Sequence, residues 1–271
     1  MTKLKKLVDF LDELLDIKAI PGDSSNNGLQ VQGDKEVGKA VFGVDISLEL
    51  IEKSIAFGSS FIFVHHGLSW GSSLKYITGS NSRRLTPMIK NGISLYAVHL
   101  PLDMHPKFGH NAVIADMIGL VGRKPFFKYD GVDIGFVGSL KKPMKLNDLN
   151  DVLCDSLRKF ITKNGSSCLS KVNGQGGVLV NSDSKEIKRV AVVSGGAGMD
   201  GVSDAISEGA ECLITGEFGH SSYFAAREAG LSIIAPGHYI TETPGVIEIM
   251  KVVRKEFPAL EVEFLDIPTG L

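Results

Sequence analysis

Seven histidines are spread unevenly along the chain: His65, His66, His99, His105, His110, His220 and His238. None precedes residue 65 or falls between 111 and 219. Three of the places they occupy carry metal-ligand residue types. FIFVHHG presents His65 and His66 after an apolar run, and Gly67 lets the chain turn at once. LYAVHLPLD supplies His99 and Asp103, and IIAPGHYITE supplies His238 and Glu242, both with the spacing His-x-x-x-carboxylate. Imidazole and carboxylate without thiolate favour zinc, iron(II), manganese or cobalt over copper(I) or iron–sulfur chemistry. Three or four histidines with two carboxylates are what two adjacent divalent ions need, with water completing the shell. The expected cofactor is therefore two divalent metal ions (zinc, iron, manganese or cobalt), and the expected chemistry is metal-assisted hydrolysis.

The elements that must position these residues follow a repeating pattern. After an amphipathic first helix and a polar loop come KAVFGVD (strand), SLELIEKSIAFG (helix), SSFIFVHH (strand), SRRLTPMIKNG (helix), ISLYAVH (strand) and GHNAVIADMIGL (helix). The stretch from about 124 to 188 differs, with VDIGFVGSL as a strand, NDLNDVLCDSLRKFI as a helix, and SSCLSKV and GGVLV as short strands. The first pattern then returns through IKRVAVVS, AECLITGE, LSIIAPGH and ALEVEFLDI as strands, with helices between them. Near-continuous apolar strands alternating with helices indicate parallel sheets covered on both faces. The expected fold class is α/β: two similar α/β domains with mainly parallel sheets covered by helices, pseudo-two-fold related, with the metal site between them. The first domain spans 1–123 and carries His65, His66, His99 and Asp103. The second spans 124–271 and carries His238 and Glu242, and its C-terminal part has the option of packing back on the first. A periodic α/β chain without duplication is the alternative. All three ligand pairs fall past the carboxyl ends of strands, where parallel sheets gather their functional groups. Neighbouring strand residues face opposite ways, so His65 and His66 converge only if the strand ends there.

The composition excludes several classes. The chain has 271 residues, 43% of them apolar and 22% charged, which is not the balance of a disordered, collagenous or coiled-coil protein. The net charge of −2 supplies no global positive field, so nucleic acid is a partner that the charge does not support. Cys154, Cys168 and Cys212 are an odd, scattered set without a CxxC, which fits a reducing cytoplasm rather than a disulfide scaffold. The N-terminus MTKLKKLVDFLDELLD mixes acidic and basic residues at helical spacing and is not read as a signal peptide. The stretch 54–74 lacks Asp, Glu, Lys and Arg. It nevertheless holds two His, six Ser and three Gly, too polar for a membrane span. No membrane association is expected.

Other motifs weigh less. VVSGGAGMDG contains G-x-G-x-x-G over 196–201, but Asp200 sits where a phosphate would approach, so a tight glycine turn into a helix is the preferred reading. Glu217 and His220, in TGEFGH, occupy the place in the second half that His65 and His66 hold in the first. Helix capping and exposure are the preferred reading for them. His105 and His110 are read as capping or solvent-facing. Trp70 and Tyr76 lie in a Gly/Ser-rich loop that reads equally as a lid or as plain surface.

SNNGLQVQG, VHHGLSW, HLPLD followed by GHN, and ITGEFGH with APGHYITE together resemble the Nif-three-like dinuclear metal protein family, the GTP cyclohydrolase I type II homologues. The resemblance covers essentially the whole chain and matches the family's short form. It implies a two-domain α/β protein with a two-metal site between the domains, and His65, His66, Asp103, His238 and Glu242 as metal ligands. His99 matches a family histidine beside the metals. The resemblance also implies a homohexameric ring. MHPKFGHN after Asp103 departs from the Gly-rich stretch of many members, which bears on substrate contacts rather than on the metals.

The reading that results is a metal-dependent hydrolase acting on a small nucleotide-like or phosphorylated molecule. In it His99 is the catalytic residue, as general acid/base or as a partner orienting a ligand. The rival reading is a non-enzymatic, metal-bound ring that binds protein or nucleic acid.

Overall fold

The computed structural model describes residues 1–164, 178–181 and 186–271. SSCLSKV, with Cys168, lies outside the described residues. The chain divides into two compact units. Of the described residues, the first comprises Met1–Leu102, Asn164 and Val246–Ile267; the second comprises Asp103–Lys163, 178–181, 186–245 and Pro268–Leu271.

The first unit opens with β1 (Thr2–Lys3), α1 (Leu4–Leu15), β2 (Gly28–Val31) and β3 (Glu36–Val37). It continues with β4 (Lys39–Asp45), α2 (Leu48–Phe57), β5 (Phe61–His66), α3 (Gly79–Lys90) and β6 (Ser94–Ala97). Two helices then begin the second unit's stretch of chain: α4 (Leu100–Met104), which crosses the boundary between the units, and α5 (His110–Met117). They are followed by β7 (Leu120–Tyr129), β8 (Val132–Lys145), α6 (Leu146–Lys163), β9 (Val178–Val180), β10 (Glu186–Gly196), α7 (Gly198–Ser207), β11 (Cys212–Glu217), α8 (Tyr223–Glu228) and β12 (Ser232–Ala235). Helix α9 (His238–Glu256) starts in the second unit and ends in the first, which β13 (Glu261–Phe264) completes.

The first unit's sheet has the order β13-β4-β5-β6-β2; every pair is parallel except β6–β2. Its central strands β4, β5 and β6 are largely apolar because both faces are covered, whereas edge strand β13 alternates exposed Glu261 and Glu263 with buried Val262 and Phe264. Val41, Ile62, Val64, Leu95 and Ala97 pack with Leu50 and Ile51 of α2 and Leu85 and Met88 of α3. The residues between them, Phe42, Phe63 and Tyr96, stack on the opposite face. There α1 approaches, and Tyr96 Oη donates to Asp12 Oδ1 at 2.9 Å. Helix α1 buries Leu4, Leu7, Leu11 and Leu15, one stripe at helical spacing. Ser47 caps α2 by accepting from the Leu50 N–H, and Gly58 ends it in the left-handed conformation.

The second unit's sheet has the order β7-β8-β10-β11-β12-β9. Its middle pairs, β10–β11 and β11–β12, are parallel, and antiparallel strands flank them. Val137, Ala191, Val193, Leu213 and Ile233 form one core with Val202 and Ala205 of α7 and Ala226 of α8. Helices α5 and α6 pack together over β8. Each unit is thus a covered α/β sheet whose parallel strands end at the histidine- and carboxylate-bearing segments. Among the described residues no helix is long and apolar enough to cross a membrane.

Candidate metal centre

In the first unit, β5 and β6 run parallel with Val64 opposite Ala97. Their carboxyl ends therefore lie side by side, and His65, His66 and His99 meet there. Ring centroids are 4.5 Å apart for His65–His66, 5.1 Å for His65–His99 and 5.6 Å for His66–His99. One ring nitrogen of each lies within 4.8 Å of the others. His65 is fully buried, whereas His66 and His99 are half-buried.

All three rings are oriented in the same way. His65 Nδ1–H donates to the Val98 carbonyl at 2.9 Å, His66 Nδ1–H to Asp45 Oδ1 at 2.7 Å, and His99 Nδ1–H to Asp23 Oδ1 at 2.8 Å. A neutral imidazole that donates through Nδ1 carries its lone pair on Nε2, which fixes both tautomer and aim for metal ligation. Asp45 arrives because β4 ends opposite His66 in register. Asp23 is held by more. Its side chain is only 1% exposed, and it also accepts from the Ser25 and Leu100 backbone N–H groups and from Asn27 Nδ2. Burial works to raise its pKa, but the hydrogen bond and charge of His99, with Asn27 and Ser25, outweigh burial and hold it below the ordinary value.

In the second unit, α4 presents Asp103, which is buried. Ser194 Oγ donates to Asp103 Oδ1 at 2.6 Å. Asn111 Oδ1 accepts from the Ser194 N–H at 2.6 Å, and its Nδ2 donates to the Ile134 carbonyl at 2.7 Å and, at 3.3 Å, to that of Asp103. Beside this network lies His110, with a ligand atom within 4.8 Å of one on Asp103. His110 is fully buried, which corrects the capping or solvent-facing reading. The physical reason is that α5 buries His110 through Ala115 without a break, so no polar face exists for it to occupy. His105 does cap a turn: its Nδ1 accepts from the Lys107 and Phe108 N–H groups. His110 also differs chemically from the other three histidines. Its Nδ1 accepts from the Gly245 N–H at 3.0 Å, so the neutral ring carries its proton on Nε2 and presents a donor there.

His238 and Glu242 lie one turn apart on α9, with Nε2 and Oε1 at 3.0 Å. The helix starts at His238, whereas the sequence reading ends a strand on that residue. The Thr241 and Thr243 hydroxyls bond the carbonyls of Gly237 and Tyr239, and the helix runs through Pro244. The hydrogen bond with Glu242 pushes the His238 pKa up to about 9, against burial and with help from the Glu242 and Glu217 charges. Glu217 Oε2 lies 3.5 Å from His238 Nδ1, and His220 is exposed in a short turn.

Glycines at the ends of β10 and β11 let α9 come this close. A Cβ at Gly216 would lie 2.6 Å from the Gly195 carbonyl oxygen and 2.7 Å from His238 Cα. Gly195, at φ 63°, has no room for one either: it would collide with Glu242 Oε1 and sit 3.1 Å from His238 Nε2. The glycine run 195–201 is therefore a seat for two candidate ligands as well as the turn into α7.

Fold and site together define a class: a two-unit α/β protein whose strand ends carry buried histidine and carboxylate groups able to hold metal. Residues 2–270 match the Duf34/NIF3 (NGG1p interacting factor 3) family, and the chain belongs to it. It is 41% identical over 266 residues to the GTP cyclohydrolase 1 type 2 homolog of Pyrococcus horikoshii, covering 98% of each chain. It is 39% identical over 268 residues to the protein of the same name from Archaeoglobus fulgidus, covering 99% of each. Among solved structures, TTHA1606 from Thermus thermophilus matches with a TM-score of 0.81 and 33% identity over 100% of both chains.

Proposed function

We propose that His65, His66, Asp103, His238 and Glu242 bind two divalent ions (zinc, iron, manganese or cobalt) and that the protein is a metal-dependent hydrolase. Its substrate would be a small nucleotide-like or phosphorylated molecule, in keeping with the names of its relatives. The observation that carries the reading is the common orientation of His65, His66 and His99, each donating through Nδ1 to a fixed oxygen. Imidazoles serving only as packing would have no reason to share one tautomer at so short a separation. Bound ions supply Lewis acidity and lower the pKa of water, which is what hydrolysis at a polarised carbon or phosphorus requires.

The chain's own groups do the rest. Asp103 and Glu242 balance the dications, Ser194 holds Asp103, and Gly195 leaves space for Glu242. His99 is the proton carrier: Asp23 keeps its Nδ1 protonated, so Nε2 takes up and returns the proton. By its resemblance to the family, the working assembly is a homohexamer; light scattering on the purified protein checks this.

The test joins elemental analysis to a hydrolase screen with nucleotides and sugar phosphates. Metal should saturate at about two ions per chain. Asp103→Asn and Glu242→Gln should lose metal with the fold intact. His99→Ala should keep metal and lose turnover by about 10²–10⁴-fold. A plateau at one ion, or metal lost from His99→Ala in proportion to rate, would overturn the respective assignment.

A further inference from the structure

Trp70 is the chain's one tryptophan, and it stands among the candidate ligands without being needed to orient them. Its ring centroid is 5.0 Å from that of His99 and 6.0 Å from that of His66. Yet Asp23 and Asp45 already orient those two rings through Nδ1. The indole is half-buried, neither core nor free surface.

The loop that carries it is fastened with unusual completeness. Trp70 Nε1–H donates to the Gly67 carbonyl at 2.8 Å, and the Trp70 N–H donates to Ser73 Oγ at 2.9 Å. From the SNNGLQ segment, Gln30 Oε1 accepts from the Leu68 and Ser69 N–H groups at 2.8 and 2.9 Å. Asn26 Nδ2 donates to Ser69 Oγ at 2.6 Å and to the Gly71 carbonyl at 3.1 Å. The Gly71 N–H donates to the Ser24 carbonyl at 2.8 Å, and Ser25 forms a β-bridge with Trp70 itself. Irregular backbone beside a site is ordinarily the mobile part of a protein. Here a motif some 40 residues upstream fixes it, and the group thereby fixed is a large aromatic ring. A rigid ring with few torsions to freeze recognises flat ligands at low entropic cost.

We infer that Trp70 is a stacking platform that selects a substrate with a planar heteroaromatic ring, a nucleobase, and places it against the histidine cluster. The inference rests on the hydrolase reading for the site's role but concerns substrate class alone. Stacking of one base on an aromatic side chain changes affinity by about 5- to 150-fold.

The test uses zinc-loaded and metal-free protein with two probes, guanosine 5′-monophosphate and ribose 5-phosphate, followed by calorimetry and by the fluorescence of Trp70. The phosphate and its attraction to metal are common to both probes, so the difference reports the base. The nucleotide should bind at least about fivefold more tightly and quench the tryptophan. Trp70→Ala should bring its affinity down to that of ribose 5-phosphate, and Trp70→Phe should retain most of the preference, both with unchanged zinc content. Equal affinity of the two probes, no binding of either, or a preference that survives in Trp70→Ala would overturn the inference. Zinc lost from both variants would make Trp70 a shield for the ligands and would equally overturn it. Failure of wild-type protein to take up zinc strikes the hydrolase reading instead; a base preference persisting in that metal-free protein would still support the platform.

Discussion

Gly195→Ala separates the metal site from the fold by adding one methyl group. Gly195 holds φ at 63°, a left-handed conformation that costs a non-glycine residue about 1–2 kcal/mol. For a chain of this size that lowers Tm by about 2–8 °C. The larger effect is steric. The new Cβ would collide with Glu242 Oε1 and lie 3.3 Å from Glu242 Cδ. Neither the strand end nor α9 can easily yield, because Gly216 is pressed as closely against the first turn of that helix. The carboxylate must retreat by on the order of 1 Å before the contact becomes an ordinary one. Metal–ligand distances tolerate about 0.2 Å, so a displacement of this size should remove Glu242 from the proposed ligand set. Metal affinity should fall by about 100-fold or more, the upper end of what losing an orienting partner costs. Gly198→Ala is the internal control: its φ is 59°, and nothing lies within 4 Å of the position of its Cβ. It carries the same backbone strain without the collision. The assay is zinc titration of metal-stripped protein by competition with a chromophoric chelator, beside thermal melts of the same preparations. Wild-type affinity in Gly195→Ala, or an equal loss in Gly198→Ala, would refute the steric argument.

Ser194→Ala removes the 2.6 Å hydrogen bond to Asp103 Oδ1 and should weaken metal binding about 10–100-fold in the same titration; unchanged affinity would show that Asp103 needs no such support. In metal-free protein, the His238 pKa is raised from 6.5 to about 9 by Glu242. The stability this adds is fully present below pH 6.5 and is lost as pH rises through 9. Chelator-treated protein should therefore melt at falling temperature from pH 6.5 to 9, and His238→Gln should flatten that slope. A flat wild-type profile, or the same slope in both proteins, would count against the ion pair.

What could be read from the sequence, and what could not, divides along physical lines. KAVFGVD, SLELIEKSIAFG and FIFVHH emerge as β4, α2 and β5 because a strand buried on both faces must be apolar throughout, and its ends are marked by Gly and Asp. The metal-ligand types were visible for a related reason: histidine and carboxylate directly after such a run are out of place in a core. Strand β7 escaped notice because it is an edge strand, exposed along most of its length, and carries neither alternation nor an apolar run. His110 escaped because a helix buried all round has no amphipathic stripe against which a histidine would stand out. The orienting residues were beyond reach for a different reason. Asp23 acts on His99 from 76 positions away, and Ser194 acts on Asp103 from 91, so only the folded chain pairs them. The glycine fingerprint misleads by resembling a phosphate loop when its close contact is with a glutamate.

The first unit's discontinuity has a consequence for how the chain emerges from the ribosome. Strand β13 pairs with β4, but more than two hundred residues are made between them. Until β13 arrives, β4 is an apolar edge with unpaired backbone groups, the kind of surface that invites misassembly. The strands of the second unit, by contrast, are complete once β12 has been made. Vectorial synthesis thus completes the second unit's sheet before the first's and leaves the earlier sheet, with its three histidines already spelled out, open until β13 closes it.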